Sequence, residues 1–535
     1  MKSLPSDGLQ GLKENWRSEV LSGFLVFLIA LPLCLGIALA SGVPPLSGII
    51  AAVVGGLVVS QISGSSVTIN GPAAGLIVVI LAAVESLSLP QDLMAGYRAT
   101  LAATVIAGLI QVAMGLSRAG RLSSFFPSSA VHGLLASIGI ILMVKQSYVM
   151  LGLKPMGKTA LEQLLRLPAS LPNLNPEIAA IGLASLATVI VLPRIAALRK
   201  VPAPLVAVLL GMGMGAWFDL SHEHTYVAFV NHSYKLGPDF LVTLPGRLSD
   251  GIVTPDWSRL GEWAFWKAVM MIAIIASLET LLSAAAVDKL DPFQRKTDLN
   301  RDLTAIGVGT AVSGMIGGLP MIAEIVRSSA NINNGARTRW ANFFHGAFML
   351  VFVCALPGLI HKIPLASLAA LLCYTGFRLA SPREFRKTYE VGSDQLLIFV
   401  TTIVVTLGTD LLIGISSGVL VKAILHLRRG VDPRGLVRCA VDIAVESQQA
   451  TCRCDGSLTF ANLLRLQRQL EQLPAGLAVQ IDLSGTRLVD HSSLEYLEHF
   501  RHDYQRTGGS VELRGLEEHR AVSEHPLAAR VRRAS

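Results

Sequence analysis

Residues Ser313–Arg339, SGMIGGLPMIAEIVRSSANINNGARTR, decide the fold of this chain. Glycines and a proline interrupt an otherwise apolar run, namely Gly314, Gly317, Gly318 and Pro320. A short helical run is expected next, and its polar residues recur at i, i+3, i+4 and i+7 on one helix face: Glu324, Arg327, Ser328 and Asn331. Charged residues at membrane depth are costly and usually line a pathway or a site, so this stretch is a candidate binding site.

A second broken stretch lies in the first half of the chain, at Gln61–Leu81, QISGSSVTINGPAAGLIVVIL. Its segment Asn70-Gly71-Pro72 is typical of a helix start, with Asn as the cap and Pro in the first turn. The helix expected at Ala73–Val84 is too short to cross a bilayer, which takes about 20 helical residues. The two broken stretches lie roughly 250 residues apart, which indicates an inverted repeat with one half-helix in each half.

The composition indicates a polytopic membrane protein with a soluble remainder. The chain has 535 residues, of which 52% are hydrophobic and 15% charged, whereas soluble proteins are about a quarter charged. The net charge of +8 comes from short basic clusters beside apolar spans, as the positive-inside rule predicts, and does not indicate a nucleic-acid partner. The six cysteines are scattered and imply no disulfide framework.

The apolar segments predict fourteen spans, seven in each half of a transmembrane domain. We expect a cytosolic N-terminal segment at 1–17, the transmembrane domain at 18–429 with repeats at about 18–218 and 263–429, and a soluble domain at 430–535. An N-terminus inside the cell places the basic clusters on the inner side: 118–121, 194–200, 289–301, 337–339, 378–387 and 428–429.

The C-terminal residues predict a small α/β domain. In CRCDGSLTFANLLRL we expect a strand, a turn at Gly456 and a helix over Asn462–Leu473. The apolar run of LAVQIDLSG indicates a buried strand, and SVELRGL a further one.

Several motifs together resemble the SulP family, the bacterial relatives of the sulfate, chloride and bicarbonate transporters among the solute carriers. They are PLCLGIALASGVPPLSG in the first span, INGPAAG in the third, ASLETLLSA in the eighth and GGLP with RSSANINNGART in the tenth. The soluble domain resembles a STAS domain through DGSLTFAN, IDLSG, VDHSSLEYL and GGSVELRGL.

The resemblance implies a 7+7 inverted-repeat fold like that of the uracil transporter, with a core unit (spans 1–4 and 8–11) and a gate unit (spans 5–7 and 12–14). It further implies an anion site between spans 3 and 10, elevator-like alternating access, a homodimer and a cytosolic STAS domain that could bind a further partner. We expect the protein in the inner (plasma) membrane of a bacterium, with both termini cytoplasmic. The spans hold no nucleophile–base constellation, so we expect no enzyme activity.

Two half-helix N-termini aimed at one point favour an anion, because their unpaired N–H groups and dipoles converge there. The backbone amides predicted to bind it are those of Ala73, Ala74, Gly75, Ala323, Glu324 and Ile325. Arg327 matches the family's basic residue on span 10 and could hold the oxyanion, with Ser328 beside it. Alternatively, Arg327 forms a structural pair with Glu324 or Glu279. In the first span, Pro32, Cys34 and Gly36 either line the site or serve helix packing.

Glu324 is a departure, because the family usually carries a small hydroxyl or similar residue at the start of the span 10 helix. At about 4 Å and an effective dielectric constant near 20, a carboxylate repels an anion by roughly 4 kcal/mol. That exceeds the typical contribution of one hydrogen bond. We therefore expect a cation or a proton to bind with the anion, unless an internal Glu324–Arg327 pair leaves the site neutral.

Glu279 and Ser283, one turn apart on span 8, match positions at which bicarbonate-type members of the family help hold sodium. With Glu324 and span 10 carbonyls they could bind Na⁺ through oxygen ligands. Burial alone would favour a proton on Glu279, and a capped pair with a basic residue is a further alternative. No resident cofactor or other metal is expected.

These features predict a secondary-active transporter of an inorganic anion in the lipid bilayer, with bicarbonate or sulfate as substrate and Na⁺ or H⁺ as coupling ion. Two other classes stay open: an uncoupled exchanger or channel, and an anion-sensing signalling protein that acts through the STAS domain. In that domain Asp490 and Ser492 stand where related domains carry a phosphorylatable serine, and ordinary loop capping explains them as well.

Overall fold

The structure is a computed structural model that describes residues 4–90, 92–120, 127–157, 159–198, 201–228, 232–244, 251–446 and 448–533. The basic residues Arg121, Arg199 and Lys200, which belong to the predicted inner clusters, lie outside the described residues. Two compact units divide the chain. The first combines Met1–Gly120 with Ile138–Arg378, and the second combines Arg121–Ser137 with Leu379–Ser535.

The first half of the chain is mostly helical. Its elements are α1 (Gly8–Ala40), α2 (Pro45–Val54, continued as a π-helix over Gly55–Val59 and a turn at Ser60–Ile62), β1 (Ile69–Pro72), α3 (Ala74–Leu87, whose first turn is 3₁₀), α4 (Leu93–Leu116), α5 (Ser128–Met150), α6 (Ala160–Ser170), α7 (Pro176–Val191), α8 (Ala203–Trp217), β2 (His224–Ala228) and β3 (His232–Leu236).

Up to Arg428 the second half is again mostly helical. Its elements are α9 (Trp263–Leu290), α10 (Leu299–Met315), β4 (Met321–Glu324), α11 (Ile325–Asn333), α12 (Trp340–Ala355), α13 (Pro357–Ile360), α14 (Leu365–Leu379), α15 (Pro382–Val391), α16 (Ser393–Gly408) and α17 (Leu411–Arg428).

By length and apolar composition, seven described helices could cross a membrane: α1, α2 with its extension, α4, α5, α7, α9 and α17. Four shorter helices are equally apolar: α3, α8, α12 and α16. The count of fourteen spans, with its division into seven and seven, stays a prediction.

Helix α1 begins well before the predicted start of the transmembrane domain. The carboxylate of Asp7 caps it by accepting a hydrogen bond from the Gly8 N–H, and pairs with Arg339 at 2.7 Å. The indole of Trp340 donates to the Gly8 carbonyl. The predicted boundary at residue 17 therefore lies inside a continuous helix, because tertiary contacts hold the polar first turns.

Close helix packing in the first unit depends on small residues. A Cβ atom added to Gly56 would lie 2.5 Å from the Cα atom of Gly346, so α2 and α12 approach with their backbones almost in contact. A large apolar cluster also lies in this unit and includes Phe27, Leu35 and Leu368. Such small-residue contacts are the usual means of packing helices where water supplies no hydrophobic drive.

The second unit contains the soluble α/β domain. Its elements are α18 (Pro433–Val437), β5 (Ala440–Glu446), β6 (Gln449–Leu458), α19 (Leu463–Leu470), β7 (Ala478–Asp482), β8 (Thr486–Val489), α20 (His491–Gln505), β9 (Ser510–Arg514), β10 (His519–Ala521) and β11 (Arg530–Arg532). The sheet order is β10-β11-β8-β6-β7-β9, with β5 antiparallel to β6.

The predicted turn at Gly456 is wrong. Strand β6 runs through Gly456 with φ +104°, and the register against β8 shifts between Gly456 and Ser457. The glycine therefore marks a bulge, where its freedom to adopt a positive φ is needed, and not the end of the strand.

Candidate anion site

The two broken stretches meet as a short antiparallel pair of strands. Strand β1 pairs with β4 from Ile69 opposite Glu324 to Pro72 opposite Met321. Helix α3 starts directly after β1, and α11 directly after β4, so both helix starts lie beside this crossing. The pairing satisfies backbone groups that could find no water at membrane depth.

The predicted cap at Asn70 is wrong. Asn70 lies in β1 opposite Ala323, and its side-chain oxygen accepts a hydrogen bond from the Asn342 amide at 2.9 Å. The first helical residue is Ala74, after Ala73 in an extended conformation. Asn70 does not cap a helix because its backbone belongs to the strand pair and its side-chain oxygen is engaged by the Asn342 amide.

Two of the four predicted face residues fasten the crossing. The hydroxyl of Ser328 accepts a hydrogen bond from the Ile69 N–H at 2.8 Å. The amide of Asn331 donates to the Val67 carbonyl at 2.9 Å, and Ser22 of α1 donates to Asn331 in turn. Ser328, predicted to bind substrate, is therefore engaged with the backbone of the partner strand.

Arg327 is the largest fully buried side chain of the crossing, with 1% of its surface exposed. Its Nη2 donates to the Pro72 carbonyl at 3.1 Å, while Nε and Nη1 have no hydrogen-bond partner among the described residues. A Cβ atom on Gly71 would lie 2.6 Å from Nη1, so glycine leaves the guanidinium its space. The Cys34 thiol lies beside it.

Glu324 is not on the helix face that its spacing predicted. It is the last residue of β4 and the N-cap of α11, half-buried, and its side chain makes no capping hydrogen bond. Across the described part of the chain, no ion pair joins Arg327 to Glu324 or to Glu279. The internal pairs considered from the sequence are therefore absent from this arrangement.

Glu279 of α9 reaches the start of α3. Only 7% of it is exposed, and its Oε1 has no hydrogen-bond partner among the described residues. A Cβ atom on Gly75 would lie 1.6 Å from this oxygen, so the carboxylate fills the space beside the glycine. Ser283 lies one turn along α9 and is also buried. Glu324 is near enough for its charge to act on Glu279.

The other predicted site residues differ in exposure. Ala73 and Ala323 are buried in the extended segments, whereas Ile325, the first residue of α11, is 40% exposed. Ala74 is half-buried at the start of α3. Pro32 is buried within α1. Their roles in binding stay predictions.

Sequence reasoning missed two polar residues of α12. His345 is fully buried, and neither ring nitrogen has a hydrogen-bond partner among the described residues. Asn342 bridges Asn70 and the Gly55 carbonyl. The signal was present, since a histidine and an asparagine inside an apolar helix are expensive unless they serve a site or a contact.

The STAS-like domain contains a buried ion pair with the last membrane helix. Asp490 caps α20 by accepting from the Ser493 N–H at 2.8 Å, which confirms the capping role. Its other oxygen lies 2.9 Å from Lys422 Nζ of α17, and Lys422 also donates to the Ser492 hydroxyl. The sequence patterns did not single out Lys422.

The helical membrane architecture, the crossed broken segments and the appended sheet domain define a membrane transport protein with a STAS domain. Residues 16–402 match the sulfate permease family and residues 442–521 match the STAS domain. The chain therefore belongs to the sulfate permease family, whose members transport anions such as sulfate and bicarbonate.

Curated relatives match most of the chain. YvdB of Bacillus subtilis is 25% identical over 418 residues, covering 78% of this chain and 74% of the relative. YbaR of the same organism is 26% identical over 514 residues, covering 94% and 96%. The bicarbonate transporter BicA of Picosynechococcus is 25% identical over 420 residues, covering 78% and 71%.

Solved structures share the fold. The transmembrane domain of a cyanobacterial BicA has a TM-score of 0.62 at 24% identity, covering 76% of this chain and 97% of that one. The structure of SLC26A9 has a TM-score of 0.66 at 13% identity, covering 94% and 84%. These likenesses confirm the predicted class of fold.

Proposed function

We propose that this protein is a secondary-active transporter of an inorganic anion, bicarbonate or sulfate, coupled to Na⁺ or H⁺. The anion binds beside the crossing of β1 and β4, at the starts of α3 and α11, and elevator-like alternating access carries it across the membrane. The substrate class is supported by the sulfate permease family match and by the similarity to BicA, which is named a bicarbonate transporter.

One observation carries the anion site. The Arg327 guanidinium is almost fully buried next to the starts of two short helices, and two of its nitrogens have no hydrogen-bond partner in the part of the chain that the structure describes. Leaving a buried charge without a partner is strongly unfavourable, so such a group favours a ligand of opposite charge. A planar fork of N–H donors suits an oxyanion with two or three coplanar oxygens, the geometry of bicarbonate and of one face of sulfate.

The charges of the site support coupling. Arg327 supplies one positive charge, and the carboxylates of Glu279 and Glu324 supply two negative charges when ionised. An anion would add further negative charge to a site that is already negative. A co-bound Na⁺ or proton offsets one of these negative charges, and Glu279, Ser283 and Glu324 are the oxygen donors proposed to hold it.

A signalling role has one specific observation in its favour. The buried Lys422–Asp490 pair joins a membrane helix to the first turn of α20 in the STAS domain. In that alternative the protein would bind the anion and report it through the STAS domain to a cytosolic partner. A homodimer in a bacterial inner membrane, with both termini cytoplasmic, completes the proposal for either role.

The test is uptake of labelled bicarbonate and of labelled sulfate into proteoliposomes, with an inward Na⁺ gradient, an inward proton gradient or neither. We expect one gradient to drive accumulation by the wild type. Glu324→Gln should abolish gradient-driven accumulation while leaving exchange of internal for external anion, because it removes one charge that the cation balances.

The outcomes separate the alternatives. Accumulation by Glu324→Gln equal to that of the wild type would contradict the assigned role of Glu324. Equal uptake with and without gradients would favour the uncoupled exchanger or channel. Anion binding without any movement of either anion would favour the sensor.

A further inference from the structure

A second basic side chain is buried without partners near the crossing. His345 of α12 is 0% exposed, and neither of its ring nitrogens has a hydrogen-bond partner in the described part of the chain. A neutral imidazole carries one N–H donor and one acceptor nitrogen, so two polar groups are buried unsatisfied. Buried polar groups nearly always have a partner, and a group that lacks one within the chain points to a bound ion, a ligand or water.

A histidine that is buried for structural reasons has a different environment. His519 of the STAS domain is 3% exposed, and its Nδ1 lies 2.8 Å from the Gly515 carbonyl oxygen. Its Nε2 lies 2.8 Å from the Thr486 carbonyl oxygen. Both ring nitrogens of His519 are therefore used within the chain, whereas among the described residues neither nitrogen of His345 is.

Contacts of α12 place His345 near the unpaired guanidinium. One turn before it, the Asn342 amide donates to the side-chain oxygen of Asn70 in β1 at 2.9 Å. Asn70 lies two residues before Pro72, whose carbonyl accepts from Arg327. His345 is near enough to Arg327 for the guanidinium charge to act on its ring. The two buried basic side chains with unpaired nitrogens thus belong to one region of the site.

The elements packed against α12 bring few other charges to the ring. Helix α2 with its extension, and α13, contain no titratable residue. In α1, the buried Glu19 accepts hydrogen bonds from three backbone N–H groups between residues 337 and 341, and Cys34 lies beside Arg327. The other charged residues of α1 are exposed. Neither nitrogen of His345 has a carboxylate partner among the described residues.

We infer that the imidazole of His345 is a second binding group for the transported anion, and that its charge follows that of the anion. It binds a doubly charged oxyanion as the imidazolium, with a proton taken up from water, and a singly charged oxyanion as the neutral imidazole. Arg327 alone balances the charge of bicarbonate, whereas sulfate requires a second positive charge. This inference rests on the proposed function and adds a residue to its site.

Electrostatics links the proton to the doubly charged anion. Two positive charges buried side by side repel each other, and a dianion bound beside them offsets that repulsion. Bound sulfate therefore favours a proton on His345, and by thermodynamic linkage that proton raises the affinity for sulfate by the same factor. With bicarbonate, the neutral ring can either donate its N–H or accept a hydrogen bond from the bicarbonate hydroxyl.

The carboxylates of the site cannot take over this role. Glu279 and Glu324 are negative when ionised and neutral when protonated, so a proton on either only removes a repulsion. Of the residues placed at the anion site, Arg327 and His345 alone can carry a positive charge. A requirement for a second positive charge therefore falls on His345.

The test is equilibrium binding of inorganic sulfate and of bicarbonate to the purified full-length protein, at a fixed Na⁺ concentration and from about pH 6 to about pH 8, where histidine ordinarily titrates. Bicarbonate affinity is referred to the bicarbonate concentration present at each pH. For each unit by which the pH falls, we expect the sulfate affinity of the wild type to rise about tenfold more than its bicarbonate affinity. That slope corresponds to one additional proton bound with each sulfate.

His345→Gln removes the titrating ring and keeps a polar side chain. We expect the difference between the two anions to vanish in this variant, and its sulfate affinity at the lowest pH to fall about tenfold or more. His519→Gln is the matched control, because it removes a buried histidine whose ring nitrogens are both bonded. It should keep the wild-type difference, and thermal unfolding checks that each variant is folded.

Proton uptake by the wild type is a second measurement, which needs no variant. In weakly buffered solution with a pH indicator, we expect about one more proton to be taken up per sulfate bound than per bicarbonate bound. Equal uptake with the two anions would overturn the inference, and so would a folded His345→Gln that keeps the wild-type difference.

The remaining outcomes separate the inference from the proposed function. If the wild type binds bicarbonate but no sulfate at any of these pH values, the inference is overturned, because the site then lacks the second positive charge. If it binds sulfate alone, the inference stands only when His345→Gln loses the dependence of sulfate affinity on pH. Binding and transport of neither anion would instead overturn the proposed function.

Discussion

Arg327 and Lys422 are both buried cations on membrane-like helices, each with only 1% of its surface exposed. The charge of Lys422 is compensated by neighbouring groups, because Asp490 and the Ser492 hydroxyl lie 2.9 Å from its Nζ and the Phe460 ring lies 4.9 Å away. Among the described residues, Arg327 has a single hydrogen bond, to the Pro72 carbonyl, and its Nε and Nη1 have no partner there.

The difference separates a structural charge from the charge that we propose binds the anion. Desolvation is unfavourable for both cations, and only contacts within the chain or with a bound anion can offset it. For Lys422 the chain itself supplies those contacts, all of them inside the second unit. For Arg327 the described residues supply one carbonyl, and we propose that an anion binds the rest of the guanidinium.

The largest effect should follow from removing the guanidinium of Arg327. We expect Arg327→Ala to lower the initial rate of anion uptake into proteoliposomes at least about 100-fold, since a charge-assisted contact to the substrate is lost. Arg295→Ala is the matched control, because that arginine already pairs with Asp291 at 2.8 Å. Uptake by Arg327→Ala close to that of the control would remove Arg327 from the site.

Breaking the ion pair between Lys422 and Asp490 should instead affect stability. We expect Asp490→Asn to lower the free energy of unfolding by about 3–5 kcal/mol, because it leaves Lys422 buried without a counter-charge. The measurement is thermal or denaturant unfolding of the purified protein in detergent. The double variant Lys422→Met/Asp490→Asn should regain most of the loss, and equal stability of the two variants would show that the charges are not coupled.

Acid should reproduce the Asp490→Asn effect. Burial alone would raise the pKa of the Asp490 carboxyl, but Lys422, His426 and the hydrogen bonds from Ser493 and Lys422 hold that pKa below its usual value. The charged carboxylate therefore adds stability above about pH 4, which is lost as the pH falls below the unfolded-state value towards the lower folded-state pKa. We expect wild type and Asp490→Asn to converge in stability as the pH is lowered, and parallel pH profiles would contradict this.

The smallest effect is expected at Ser328. Its hydroxyl accepts from the Ile69 N–H, so Ser328→Ala leaves a buried donor unpaired at a cost of about 1–3 kcal/mol. Because this contact fastens the crossing and does not face an unpaired group, we expect unchanged anion affinity in a binding titration. A large loss of affinity without loss of stability would place Ser328 in direct contact with the anion.

The sequence predicted the class of fold and the two broken stretches that the structure pairs, because both depend on local patterns. Interrupted apolar runs marked the two broken stretches, and the cost of charge in a membrane pointed to Arg327, Glu324 and Glu279. The same rule, applied to α17, would also have found Lys422.

What the sequence could not supply are contacts between distant residues. The strand pairing of Ile69–Pro72 with Met321–Glu324 overrode the local helix-start signal at Asn70 and moved Glu324 off the helix. The approach of Glu279 to Gly75 and the Lys422–Asp490 pair likewise join residues far apart in the chain. Periodicity reports which residues share a face and carries no information on what that face meets.

The most direct test is a side-by-side binding titration of sulfate and bicarbonate with wild type, Arg327→Gln and Lys422→Met. If the transported anion binds to the Arg327 guanidinium, Arg327→Gln loses saturable binding of that anion, whereas folded Lys422→Met binds it as the wild type does. Undiminished binding by Arg327→Gln would contradict the assignment of the buried guanidinium as the anion site.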